Sequence, residues 1–229
     1  MTIAENLDNI RARIDAAARR AGRDPNLVRL VAVSKRVPLE RIQEAVAAGQ
    51  TLFGENYLQE ADLKIKAMGK EIEWRFIGHL QSNKAKLAAG LFDAVDTVDR
   101  FKLAAALDRH LAEEGKRLPI LLQVNVGQEV QKSGVLPDAA EELLVKINEL
   151  PNLEVRGLMT MPPYFDDAEK VRPYFRQLRQ MADDFTDKGL LGRHGAVEVS
   201  MGMSGDFEVA VEEGATLVRV GTSLFGERG

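Results

Sequence analysis

The stretch VRLVAVSKR places Lys35 just beyond an apolar run rich in valine, where a strand leaves a core. A primary amine there has two readings. One is a snorkelling lysine, its stem on apolar surface and its head in water. The other is a nucleophile: at the rim of an apolar barrel an amine loses hydration, its pKa falls, and its neutral form attacks carbonyls. Near the other end, Ser200, Met201, Gly202 and Ser204 form the small-residue loop SMGMSGD, and Gly221 and Thr222 follow LVRV. Backbone N–H groups in such loops approach an anion closely. A helix cap by Ser204 with a tight turn at Gly221 accounts for the same residues, and Asp206 in the next helical turn would repel a phosphate. Both readings stay open.

Other polar residues fall where strands should end. Glu55, Asn56 and Tyr57 follow the second strand in GENY; His79, Gln81, Ser82, Asn83 and Lys84 follow the third in GHLQSNK. His79 is either a satisfied structural histidine or an acid–base group. Asn125 opens a polar loop after the fifth strand. Arg219 lies within the last strand, and if it faces inward it needs an acceptor. His110 and His194 have nothing to recommend them. No histidine–carboxylate cluster has metal-ligand spacing, and no Walker or dinucleotide fingerprint is present.

These residues need a frame that brings them together. Apolar runs at 28–33, 51–54, 73–77, 93–98, 119–126, 153–158, 196–199 and 217–220 predict strands. Helical patterns near 39–48, 57–67, 83–89, 100–114, 137–149, 167–187 and 206–213 separate them. Gly49, Gly115 and Gly214 sit just past helix ends, and Pro38 and Pro137 at helix starts. Such alternation implies right-handed βαβ units, and eight of them predict a closed (β/α)8 TIM barrel whose site lies at the strand C-termini. An open doubly wound sheet is the alternative if 51–54 and 93–98 are not strands. Ahead of the barrel, Ile3, Leu7, Ile10, Ile14 and Ala17 predict one face of an extra N-terminal helix. No linker interrupts the chain, so 1–229 reads as a single domain.

Composition narrows the classes. The 229 residues are 45% hydrophobic and 29% charged, an ordinary globular balance. A net charge of −4 offers no basic field for nucleic acid. With no cysteine, disulfides, thiolate metal sites and a Cys nucleophile are excluded. No run approaches the roughly 18 apolar residues of a membrane helix, and acids near the N-terminus argue against a targeting peptide. A cytoplasmic protein is expected.

Five motifs, VAVSK, FGENYLQE, FIGHLQSNK, VSMGMSGD and VRVGTSLFGER, stand in register from about Leu30 to Arg228. Together they closely resemble the pyridoxal phosphate homeostasis proteins. The resemblance implies a barrel similar to the N-terminal domain of alanine racemase, the fold-type III group of pyridoxal 5′-phosphate (PLP) proteins. It implies that Lys35 forms the internal aldimine with PLP. It also implies that Ser200, Gly221 and Thr222 bind the phosphate, assisted by backbone near Met201, Gly202 and Ser204. Arg219 matches the arginine beside the pyridine nitrogen, and Asn56 and His79 match polar residues of the pocket. Where Val199 stands the family pattern has leucine, a difference of packing.

The family implies a carrier or buffer of PLP in vitamin B6 homeostasis, without established turnover and with PLP-dependent apoenzymes as candidate recipients. An arginine that stays protonated leaves the pyridine nitrogen unprotonated, making the ring a weaker electron sink. The chain stops soon after the eighth strand, so a second domain with a further acid–base residue is not expected, and a monomer is. A PLP-dependent racemase or lyase of low activity, or a class I aldolase acting on a phosphosugar, are the alternatives. Lys84 or Lys132 is a candidate for a second, transient attachment point.

Overall fold

The computed structural model describes residues 2–69 and 71–227. Its strands are β1 (Arg29–Val33), β2 (Leu52–Glu55), β3 (Glu73–Phe76), β4 (Ala94–Val98), β5 (Leu118–Gln123), β6 (Leu153–Met159), β7 (Glu198–Ser200) and β8 (Leu217–Val220). They pair in parallel in chain order, and β8 pairs with β1, so the sheet closes into a barrel. The closure excludes the open sheet, and the weak runs at 51–54 and 93–98 are the strands β2 and β4.

The helices are α1 (Ile3–Arg20), α2 (Leu39–Ala47), α3 (Leu58–Met68), α4 (Ala85–Leu91), α5 (Phe101–Glu114), α6 (Pro137–Ile147), α7 (Arg172–Asp187), α8 (Phe207–Glu212) and α9 (Thr222–Phe225). Two expected helices start later than their pattern. A 3₁₀ turn at Ser82–Lys84 precedes α4, and another at Ala168–Val171 precedes α7, whose first turn holds Pro173 where no N–H is required. The fifth strand is shorter than its apolar run. After Gln123 the chain leaves the ladder, with Val124 making an isolated bridge to Val135 and Asn125 Nδ2 donating to Glu129 O at 2.9 Å.

Strand alternation divides the apolar residues into two cores. Val31, Leu52, Leu121, Met159 and Leu217 meet inside the barrel. Leu30, Ala32, Phe53, Trp74 and Phe76 point outward and pack under the helices. At the interior's lower end, Arg75 pairs with Asp96 at 2.9 Å and with Glu198 at 2.6 Å. Burial works to lower the Arg75 pKa, but those carboxylates more than offset it and hold the guanidinium cationic.

The N-terminal helix takes its shape from local signals. Thr2 and Glu5 form a reciprocal capping box, and Ile3, Leu7, Ile10, Ile14 and Ala17 are buried as their spacing predicts. Each large one contributes roughly 1.5–3 kcal/mol. The helix packs against α8, α9 and α2, and so braces the barrel seam where β8 meets β1. Asn6 Nδ2 donates to Leu224 O at 2.9 Å, fastening α9.

Candidate functional site

Because Val31 faces the interior, period two carries Val33 and Lys35 to the same side. Both line a cavity of about 250 Å3 at the C-terminal mouth of the barrel. Its size lies below the roughly 300–1,000 Å3 of drug-sized pockets and suits a small ligand. Lys35 is the second residue of a turn in which Val37 N donates to Ser34 O at 3.0 Å. Arg36 is left-handed there, with φ of +57°, and its guanidinium lies 5.9 Å from the centre of the Tyr57 ring.

Across the mouth, Leu217 faces inward and so does Arg219. Arg219 donates from Nη1 to Ser200 Oγ and from Nη2 to Thr160 O, both at 2.7 Å. These are the acceptors an inward guanidinium requires. Burial lowers its pKa to about 10, opposed by the charges of Asp96 and Asp206. That is below the ordinary arginine range expected from sequence, yet still cationic at neutral pH.

The loops after β7 and β8 are joined by Ser223 N, which donates to Ser204 Oγ at 3.4 Å. In α9, Leu224 N and Phe225 N bond back to Gly221 O at 3.0 and 2.8 Å, which leaves the Thr222 N–H at the helix start, beside Ser223 N. Gly202 has φ of +90°, and a Cβ there would stand 2.5 Å from Ala210 Cβ, so only glycine lets the loop lie on α8. Asp206 precedes α8 rather than sitting in its first turn. Its Oδ1 accepts from Met203 N at 2.6 Å, which ties the loop to the helix start. Burial raises the Asp206 pKa, while the Met203 N–H and Arg219 pull it down.

Six of the ten expected site residues line the cavity: Lys35, Asn56, Ser204, Arg219, Gly221 and Thr222. Ser200 and Met201 are fully buried and outside the lining, as is Gly202; Ser200 reaches the site through Arg219. His79 lies apart. It is exposed, its Nδ1 stands 3.0 Å from Ser133 Oγ, and it borders a separate hollow with Tyr57 and Lys84. Asn56 borders both hollows, and its buried Oδ1 has no hydrogen-bond partner among the described residues. Lys132 donates to Pro162 O and pairs with Glu129, both at 2.7 Å, so its ammonium joins two loops.

Glu55 departs from expectation. It is a buried β2 residue facing the helices, with Ser34 Oγ donating to its Oε1 at 2.7 Å. Burial raises its pKa against the opposing pull of Lys64 and Ser34. Conversely, Met161, Tyr164, Phe165 and Met203 line the cavity and were not singled out. Alternation beyond Met159 brings Met161 inward, but nothing local marks the MPPYF loop as a wall. Among the described residues, no cluster of histidine and acid side chains could hold a metal ion, and no helix is long and apolar enough to cross a membrane.

Comparison with known proteins follows the same lines. The model of the alanine racemase N-terminal domain matches residues 6–229. The chain is 44% identical over 229 residues to the pyridoxal phosphate homeostasis protein of Aquifex aeolicus, spanning 100% of this chain and 99% of that one. It is also 44% identical to the Escherichia coli protein of the same name, spanning 99% and 97%. Among solved structures, Synechococcus elongatus PipY with PLP bound has a TM-score of 0.85 at 37% identity, covering 98% of this chain and 100% of that chain. Clostridium difficile alanine racemase shares only the fold, with a TM-score of 0.76 at 13% identity over 99% of this chain and 56% of that chain.

Proposed function

Since the chain belongs to the pyridoxal phosphate homeostasis protein family, we propose that it binds PLP in the barrel mouth and serves intracellular vitamin B6 homeostasis. The observation that carries this reading is a single one. Lys35, Arg219 and the loops after β7 and β8 line one small cavity.

The donor set fits the group. Lys35 supplies the amine, Ser204 and Thr222 supply hydroxyls beside the Thr222 N–H, and Asn56 Oδ1 is a buried acceptor awaiting a donor. When bound, PLP supplies an aldehyde that condenses with a primary amine and releases water. Thr222, Gly221 and Ser204 would hold the phosphate, with Ser223 N joining their two loops. Ser200 and Thr160 aim Arg219, whose remaining N–H groups would donate to the ring nitrogen of bound PLP. Gly202 and Met201 shape the loop from behind, and His79 borders the entrance from the neighbouring hollow.

We read the protein as a carrier that acts as one domain, a monomer and a cytoplasmic protein, buffering PLP or passing it to apoenzymes. In support, the carboxylate and guanidinium of the site are already engaged by Met203, Ser200 and Thr160, and the lining Tyr164 is 84% exposed. The test is the absorption spectrum of the PLP-loaded protein before and after borohydride, with the reduced adduct mapped by mass spectrometry. The expected adduct is on Lys35. An adduct elsewhere, or none, overturns the reading. Exchange of the Cα hydrogen of added amino acids should be absent, and its appearance would move the protein to the racemase or lyase class.

A further inference from the structure

Behind Lys35, on the helix side of the sheet, lies a buried ionic cluster outside the cavity. Lys64 of α3 is 7% exposed, and its Nζ donates to three oxygens: Ser34 O at 2.6 Å, Glu55 Oε1 at 2.8 Å and Glu60 Oε1 at 2.5 Å. Glu60 Oε1 also accepts from Arg36 N at 2.5 Å, and Glu55 Oε1 from Ser34 Oγ at 2.7 Å. Both neighbours of Lys35 are therefore fixed by one cluster, Ser34 through its carbonyl and hydroxyl and Arg36 through its amide.

The arrangement has a conformational consequence. Arg36 has a Cβ and yet sits at φ +57°, a region that disfavours such residues. The acceptor at Glu60 and the ammonium at Ser34 O favour that turn over the extended alternative. An extended backbone through 34–36 would redirect the Lys35 side chain that lies between the two fixed residues. We infer that Lys64 is a positioning residue for Lys35: it locks the 34–37 turn so that the amine faces the cavity. This inference rests on Lys35 being the attachment point.

A residue that merely staples α3 to the sheet would affect every ligand alike. A positioning residue affects only the ligand that reacts with Lys35. The test compares PLP with pyridoxine 5′-phosphate, which keeps ring and phosphate but carries an alcohol in place of the aldehyde. In Lys64→Met, borohydride-trapped attachment at Lys35 should slow about tenfold or more, while pyridoxine 5′-phosphate affinity stays within about twofold. Lys64→Arg, which keeps a cationic donor, should recover part of the rate. Should Lys64→Met fail to fold, Glu60→Ala, which removes the acceptor of Arg36 N from a partly exposed site, should show the same selective loss. Unchanged trapping, or equal loss for both ligands, overturns the positioning role. Absence of a Lys35 adduct in the unsubstituted protein overturns the attachment reading itself, a distinct outcome.

Discussion

Arg219 of β8 and Ser200 of β7 meet inside the barrel, with Nη1 donating to Ser200 Oγ at 2.7 Å. A second bond, from Nη2 to Thr160 O, extends the tie to the end of β6. The guanidinium is thus held at two points by the barrel wall. Replacing it with Met should cost roughly 1–3 kcal/mol of stability, since a buried carbonyl and hydroxyl lose their donor. PLP retention should fall about tenfold. Urea titration and equilibrium dialysis measure the two effects.

Lys35→Ala should separate covalent attachment from non-covalent binding. Borohydride-trapped PLP should vanish, while affinity for pyridoxine 5′-phosphate persists. Because Lys35 lies in a turn at the barrel rim, stability should shift by no more than about 0.5 kcal/mol. A trapped adduct that survives at full yield in the variant would place the reacting amine elsewhere.

Asp206 gives the site a pH dependence whose sign is determined. Burial raises its pKa, outweighing the Met203 N–H and Arg219. The folded state therefore favours the protonated carboxyl. Its contribution to stability is full below the ordinary aspartate range and is lost as pH rises through the raised value. Asp206→Asn retains an oxygen for Met203 N and removes the charge. The variant should exceed the parent in stability at neutral pH, with the advantage shrinking as the medium is acidified. It should also bind PLP about tenfold more tightly, roughly 1.4 kcal/mol, because one negative charge near the phosphate is gone. Weaker binding by the variant would contradict this account.

Gly202→Ala tests the loop directly. The backbone there is left-handed, and the added Cβ would press within 2.5 Å of Ala210 Cβ and 3.0 Å of Phe207 Cα. Strain and overpacking together should cost about 2–4 kcal/mol. Thermal melting reads the loss, and binding of inorganic phosphate should weaken in the same variant.

The frame of the protein was legible along the chain because strand and helix periods are local properties of the backbone. Alternation around Val31 and Leu217, the α1 stripe from Ile3 to Ala17, and Lys35 at a strand end all follow from residues near one another in sequence. Other features needed contacts between distant segments. Arg219 faces inward only once β8 closes on β1, and closure also brings Gly221 and Thr222 to the cavity that Lys35 lines. Glu55 looked like a rim residue until Lys64 and Ser34 supplied partners that make its burial tolerable. His79 shares a motif with residues of the mouth, yet its strand end turns it toward Ser133.

The amino-acid order by itself determined the β/α alternation, the amine at the end of the first strand, and the small-residue loops of the last two, since propensity and periodicity act over a few residues. Tertiary structure decided which polar groups face one another: Arg219 with Ser200 and Thr160, Asp206 with Met203, Lys64 with the turn beneath Lys35. Those pairings depend on sheet closure and helix packing, which set distances between residues far apart along the chain and leave no periodic trace in it.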